Sequence, residues 1–106
     1  MMGMKLESRI SSESGIRKQV LDEIIGLAVK YGVKRVELFR SRARGDYKRT
    51  SDIDLAVRGG DIPRFRLDIE EETSTLLKFD IVDLDSQMQD ELRESIRREG
   101  KVLYEK

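Results

Sequence analysis

Asp52 and Asp54 stand one residue apart in Thr50-Ser51-Asp52-Ile53-Asp54-Leu55-Ala56-Val57, a run of β formers in which every second side chain shares a face. On that geometry the two carboxylates project together, with roughly 7 Å between their Cα atoms, while Ile53, Leu55 and Val57 turn to the core. Like charges on one face repel unless a cation or water separates them, and hard oxygen ligands at this spacing suit Mg²⁺ or Mn²⁺. Asp-x-Asp alone is common and more often marks a solvated strand end. With ten residues between it and Asp52, Ser41 opens Ser41-Arg42-Ala43-Arg44-Gly45, where a hydroxyl and backbone amides at a strand-to-helix turn can hold phosphate. The plain alternatives are a serine helix cap, a turn glycine and a solvated basic surface.

Other chemistry is closed to this chain. With no Cys and no His among 106 residues it has no thiolate or imidazole metal site, no Cys nucleophile and no Ser-His-Asp triad. Carboxylate, hydroxyl and lysine chemistry remains. The 21 basic residues cancel the 21 acidic ones, so net charge gives no reason to expect direct nucleic-acid or anionic-membrane binding, and any electrostatic function is local. No apolar run approaches the ~20 residues of a membrane span, and the first residues lack the apolar centre of a signal peptide. The absence of cysteine is compatible with the cytoplasm, the expected location.

The elements that must position these groups follow from periodicity. Residues 1–12 have no sustained period and read as a flexible leader, leaving 13–106 as one domain. The 30 Leu, Ile, Val and Phe residues suffice for a small core. Ile16, Val20, Ile24, Ala28 and Tyr31 form the stripe of an amphipathic helix that Gly32 stops. Strands follow at Val33 to Phe39 and Ile53 to Val57. Asp61 and Pro63 open a second helix whose spacing runs through Phe65 and Ile69 to Leu76 and Leu77. Phe79 to Leu84 is a third strand. Ser86 with Gln89 fits a capping box opening a helix through Leu92 and Ile96 to Gly100, and Val102 to Tyr104 is a last strand. Helices alternating with strands predict an α/β (α+β) fold, a small mixed β-sheet covered by helices. Lys34 to Arg49 holds seven basic and two acidic residues and Asp68 to Glu91 nine acidic and one basic, so their juxtaposition would suit an anion bound through metal ions.

Taken together, Val36-Glu37-Leu38-Phe39-Arg40-Ser41, the ten-residue interval, Asp52-Ile53-Asp54 and Phe79-Asp80-Ile81-Val82-Asp83 resemble the minimal nucleotidyltransferases (MNT) of the DNA polymerase β-like superfamily, over roughly residues 16 to 104. Their pattern is a strand, Gly-Ser, ten residues, Asp-x-Asp and a third carboxylate on a later strand. The resemblance implies the nucleotidyltransferase fold and Mg²⁺-dependent transfer of a nucleoside monophosphate, AMP from ATP or its counterpart from another NTP, to a hydroxyl of a partner macromolecule. It further implies that Asp52, Asp54 and Asp80 hold two Mg²⁺ (or Mn²⁺) ions and carry catalysis, and that Ser41 binds a phosphate oxygen while Arg42, Arg44 and Arg40 meet the nucleotide. Alternation selects Asp80 over Asp83, which lies on the opposite face of the strand. Stand-alone domains of this type resemble the antitoxin half of HEPN and MNT pairs, so the implied partner is a HEPN toxin.

The chain departs from the pattern at Arg40, which replaces the glycine before the serine. Glycine there permits positive φ and close approach to phosphate, whereas arginine costs roughly 1 kcal/mol or more if that φ is required. Its guanidinium is nevertheless a good phosphate ligand. The expectation is that steric loss wins, giving a slow enzyme or an impaired antitoxin that neutralises its partner by binding alone.

Overall fold

Alternation of apolar and polar side chains along the strands builds a sheet with two unlike faces. In the computed structural model, which describes residues 9–106, β1 (Arg35–Phe39), β2 (Ile53–Arg58), β3 (Phe79–Asp83) and β4 (Lys101–Glu105) form one sheet in the order β3-β2-β1-β4. β1 is antiparallel to β2 and β4, and β2 is parallel to β3. The expected mixed, helix-covered sheet is therefore observed. Val36, Leu38, Ile53, Leu55 and Val57 lie in the main core with Val20, Leu21 and Ile24 of α2 (Lys18–Lys30) and Phe65 and Ile69 of α4 (Ile62–Glu72). Each such fully buried side chain contributes about 1.5–3 kcal/mol. Phe39 and Ala56 belong to a second cluster with Leu84 and with Ile96 of α5 (Asp90–Glu99). The short α3 (Ser41–Arg44) joins β1 to the loop that leads into β2.

Several local expectations are corrected. Residues 9–14 are helical (α1), so the loose leader read over 1–12 does not extend through 9–12; Ile10 is buried in the main core and Ser11 Oγ donates to the Ile16 carbonyl at 2.5 Å. One apolar residue in a polar stretch gives no period, and tertiary packing decides. Residues 1–8 of that stretch lie outside the described residues. Asp61 caps α4 as expected, its Oδ1 accepting from the Arg64 amide at 3.2 Å. The helix ends at Glu72 rather than Leu77, with no basic residue in its last turn, where the acidic run Glu70 to Glu72 opposes the helix dipole. The Ser86/Gln89 capping box does not form: α5 starts at Asp90, Gln89 makes no side-chain cap bond, and Ser86 Oγ donates to the Asp83 carbonyl at 2.7 Å. A glycine, Gly100, stands at the end of α5 for lack of space rather than for left-handed backbone. Its φ is −61°, and a Cβ there would meet the Ile96 carbonyl oxygen at 2.5 Å and Glu37 Oε1 at 2.7 Å.

The segment after α4 is tied to α2 by Glu23, whose carboxylate accepts from the Ser74 amide at 2.8 Å and from Ser74 Oγ at 2.6 Å. These bonds from Ser74 hold the Glu23 carboxyl below the usual range. A depressed carboxyl pKa contributes stability above its unfolded value, and that contribution is lost as pH falls through the folded value. Thermal melts of the native chain and Glu23→Gln are therefore expected to differ at neutral pH and to converge in acid, once pH has fallen below the ordinary glutamate range and through the lowered folded value; a gap unchanged by acid would refute the clamp.

Among the described residues, no helix is long and apolar enough to cross a membrane.

Candidate active site

The parallel pairing of β2 with β3 sets Asp54 directly opposite Asp80, and the antiparallel pairing of β1 with β2 sets Phe39 opposite Asp54. Three elements distant in sequence thus end at one corner of the sheet. Asp54 is buried and Asp80 exposed. Asp52 immediately precedes β2 and is exposed, bordering an open cavity of about 510 Å³ lined with Thr50, Leu76, Leu77 and Lys78. Burial pushes the Asp54 carboxyl above its usual range; Arg40 opposes that rise, and the charges of Asp80 and Asp52 add to it.

Arg40 completes the corner. Its Nη1 donates to Asp54 Oδ1 at 3.1 Å and to Asp80 Oδ2 at 2.8 Å, and its guanidinium lies over the Phe39 ring with its carbon 5.0 Å from the centroid. Burial works against the guanidinium's charge, but Asp80 and Asp54 together outweigh it and raise the Arg40 pKa. The backbone at Arg40 has φ 63° and ψ −146°, a region essentially reserved for glycine. Among the described residues it is the one non-glycine at positive φ. A single residue separates the end of β1 from the start of α3, and the reversal falls on it; its carbonyl accepts from the Ala43 and Arg44 amides at 3.0 Å each. The requirement for positive φ inferred from the motif is present.

Ser41 is the first residue of α3 and not its cap, a position held by Arg40 without a side-chain cap bond. Arg42, expected to meet nucleotide, is turned inward and only 2% exposed. Its Nε donates to the Ser51 carbonyl at 3.0 Å, Nη1 to that of Ser14 at 2.9 Å, and Nη2 to those of Lys48 and Arg49 at 3.3 and 3.2 Å. The guanidinium also covers the Tyr47 ring, 4.8 Å from its centroid. With no carboxylate bonded to it, desolvation lowers its pKa. Arg42 is therefore a strut that closes the 40–51 loop, its guanidinium spent on backbone carbonyls rather than presented at the surface. Arg44 is exposed and pairs with Asp46 and Glu99 at 3.2 Å each. The basic and acidic segments do meet, but through direct ion pairs such as Arg40 with Asp80 and Arg58 with Asp85. Asp83 is the last residue of β3 and braces the turn after it, its Oδ1 accepting from the Asp85 amide at 2.9 Å.

The fit to a divalent cation is tested by the Arg40 contact. Two carboxylates already converge on one positively charged nitrogen, so their oxygens suit a hard cation in its place. Asp52 is not gathered with them: among the described residues, no group of three or more candidate ligands surrounds one point. The sequence signalled Arg40 through the missing glycine but not the bridge it makes, and it gave no signal for the inward turn of Arg42.

A mixed four-stranded sheet with an acidic pair starting its second strand, a third acid beside it on the parallel neighbour and a serine turn after the first strand defines the nucleotidyltransferase fold. Solved structures agree with this class. The chain is similar to a toxin-antitoxin crystallised with AMP-PNP, with 26% identity and a TM-score of 0.66 over 81% of this chain and 73% of that one. It is also similar to a structure described as a "putative minimal nucleotidyltransferase", with 30% identity and a TM-score of 0.60 over 76% of this chain and 86% of that one. Residues 22–106 match the family described as polymerase beta, nucleotidyltransferase, and the chain belongs to that family. A protein of Methanocaldococcus jannaschii named "Putative protein adenylyltransferase" is 39% identical in an alignment of 59 residues that covers 50% of this chain and 63% of the relative. The match thus spans less than two thirds of that relative's length.

Proposed function

We propose that this chain transfers a nucleoside monophosphate, AMP from ATP, to a hydroxyl on a partner protein, a HEPN-type toxin, and thereby acts as its antitoxin. The observation that carries the reading is the delivery of Asp54 and Asp80 to one point by the β2–β3 pairing, beside the Ser41 turn. Family membership supports the chemistry, and the named activity of the archaeal relative and the AMP-PNP-bound toxin-antitoxin support the nucleotide and the type of partner.

In this reaction the acceptor oxygen bonds to the α-phosphorus, the bond to pyrophosphate breaks, and the hydroxyl proton leaves for a base. Asp54 and Asp80, which already share one cationic partner, are the residues that would hold Mg²⁺ or Mn²⁺, and Asp52, two positions before Asp54, would join them on binding. Bound there, the metal would neutralise the triphosphate and the departing pyrophosphate and lower the pKa of the attacking hydroxyl. Asp80, exposed at the strand edge, would take the proton. Ser41 would bind a phosphate oxygen, and Arg44 would offset charge on the phosphates. With the sheet and its helical cover using most of about a hundred residues, little surface is left to enclose a small acceptor, which favours a polypeptide.

The second reading, an antitoxin that acts by binding alone, is favoured by the guanidinium bonded to two of the three carboxylates. Co-expression with the toxin followed by intact-mass measurement separates the two: the expected result is a partner heavier by one or more AMP units, lost in Asp52→Asn. A neutralised partner of unaltered mass would establish the binding-only reading.

A further inference from the structure

Arg40 does more than strain a loop. Its Nη1 is one positive centre shared by Asp54 Oδ1 and Asp80 Oδ2, which is the role a divalent cation plays between two carboxylates. Asp54 is 6% exposed, and a carboxylate so placed needs a positive partner. In the pattern this sequence resembles, glycine precedes the serine and brings no charge, so the positive partner must come from solution. Here the chain supplies its own. The connection between β1 and α3 starts the Arg40 side chain at the corner of the sheet, and the Phe39 ring beneath the guanidinium adds a cation–π contact. The Arg40 side chain is 45% exposed, so one face is open to water and the guanidinium can leave by rotating outward without disturbing the core.

We propose that Arg40 is a built-in competitor for the divalent cation, so that metal enters between Asp54 and Asp80 only in exchange for the guanidinium. The proposal rests on the reading of these carboxylates as metal ligands. A guanidinium and a divalent ion compete for the site, because the nitrogen already holds one oxygen of each carboxylate, Asp54 Oδ1 and Asp80 Oδ2, and two cations between the same pair of carboxylates repel. Entry of free metal therefore first breaks two charge-assisted hydrogen bonds, and its apparent affinity is reduced by the fraction of molecules in which Arg40 is withdrawn. The residue thereby sets how much free metal the site requires.

The test is Mn²⁺ binding to nucleotide-free protein, read by electron paramagnetic resonance of the free ion and by calorimetry. Arg40→Gly removes the guanidinium and suits the backbone; Arg40→Asn removes it while retaining a side chain, as Arg40 does, at the same strained backbone. Both are expected to bind Mn²⁺ about 10- to 100-fold more tightly than the native chain, and adding Asp54→Asn to either should abolish the gain. If all three proteins bind Mn²⁺ equally and Asp54→Asn removes that binding, the competition is refuted while the metal assignment stands. If neither Arg40 variant shows Asp54-dependent Mn²⁺ binding, the metal assignment fails and the proposal with it.

Discussion

Asp54→Asn is expected to lower nucleotidyl transfer by about a thousandfold or more while leaving the domain folded. A lost metal ligand removes several kcal/mol of transition-state stabilisation, and each 1.36 kcal/mol is a factor of ten in rate. The fold should survive because asparagine has no charge to desolvate at this buried position, its carbonyl can still accept from Arg40, and Arg40 keeps Asp80. Asp52→Asn should cause a comparable loss of rate with still less effect on stability, since Asp52 is exposed. Pyrophosphate release with partner present, alongside thermal melts, gives both quantities. The measurement is best repeated in the Arg40→Gly background, where the uncompeted site should turn over faster. Wild-type rates in Asp54→Asn would remove this carboxylate from the chemistry.

Arg42→Ala is expected to cost about 3 kcal/mol of stability, equivalent to a fall of roughly 12–24 °C in midpoint for a domain of this size. Desolvation of an uncompensated charge argues for a smaller value, because alanine relieves it. The losses win: the buried Ser14 carbonyl is left without its donor, three loop carbonyls must rehydrate, the Tyr47 stacking disappears, and the cavity does not fill. Arg42→Lys should fall between the two, since an ammonium cannot reach four carbonyls with a planar fork's geometry. Denaturant unfolding measures this directly. An effect of Arg42→Ala on nucleotide affinity with stability unchanged would instead restore the ligand role that the sequence suggested for it.

These two residues mark where the sequence was legible. Ile53, Leu55 and Val57 fall in the main core because strand alternation is local and admits one partition, and the same rule puts Asp80 rather than Asp83 on the Asp54 side of the sheet. Asp61 and Pro63 announced their helix for equally local reasons. Arg42 could not be read, because the carbonyls of residues 14, 48, 49 and 51 reach it only after α1 and the 40–51 loop have folded against α3. The basic character of the run suggested a surface for the same reason that it concealed the strut: composition does not record which way a side chain turns. The end of α4 was overread since Leu76 and Leu77 keep helical spacing beyond the last helical residue, although Leu76 is fully exposed. At Arg40 the motif exposed the conflict, but the ion pair required knowledge of what the parallel neighbour strand carries 40 residues later.

Asp80 rides on β3, an edge strand none of whose residues is fully buried, whereas Asp54 sits on β2, whose residues from Ile53 to Val57 all are. Edge strands with little burial open locally at a fraction of the free energy of global unfolding, so the two carboxylates part whenever β3 frays. Whatever cation bridges them, Arg40 in this chain or an ion in exchange for it, therefore also fastens the edge of the sheet. Slowed amide exchange along β3 is the expected signature of an occupied site, because a cation that binds only the docked strand shifts the docking equilibrium toward it.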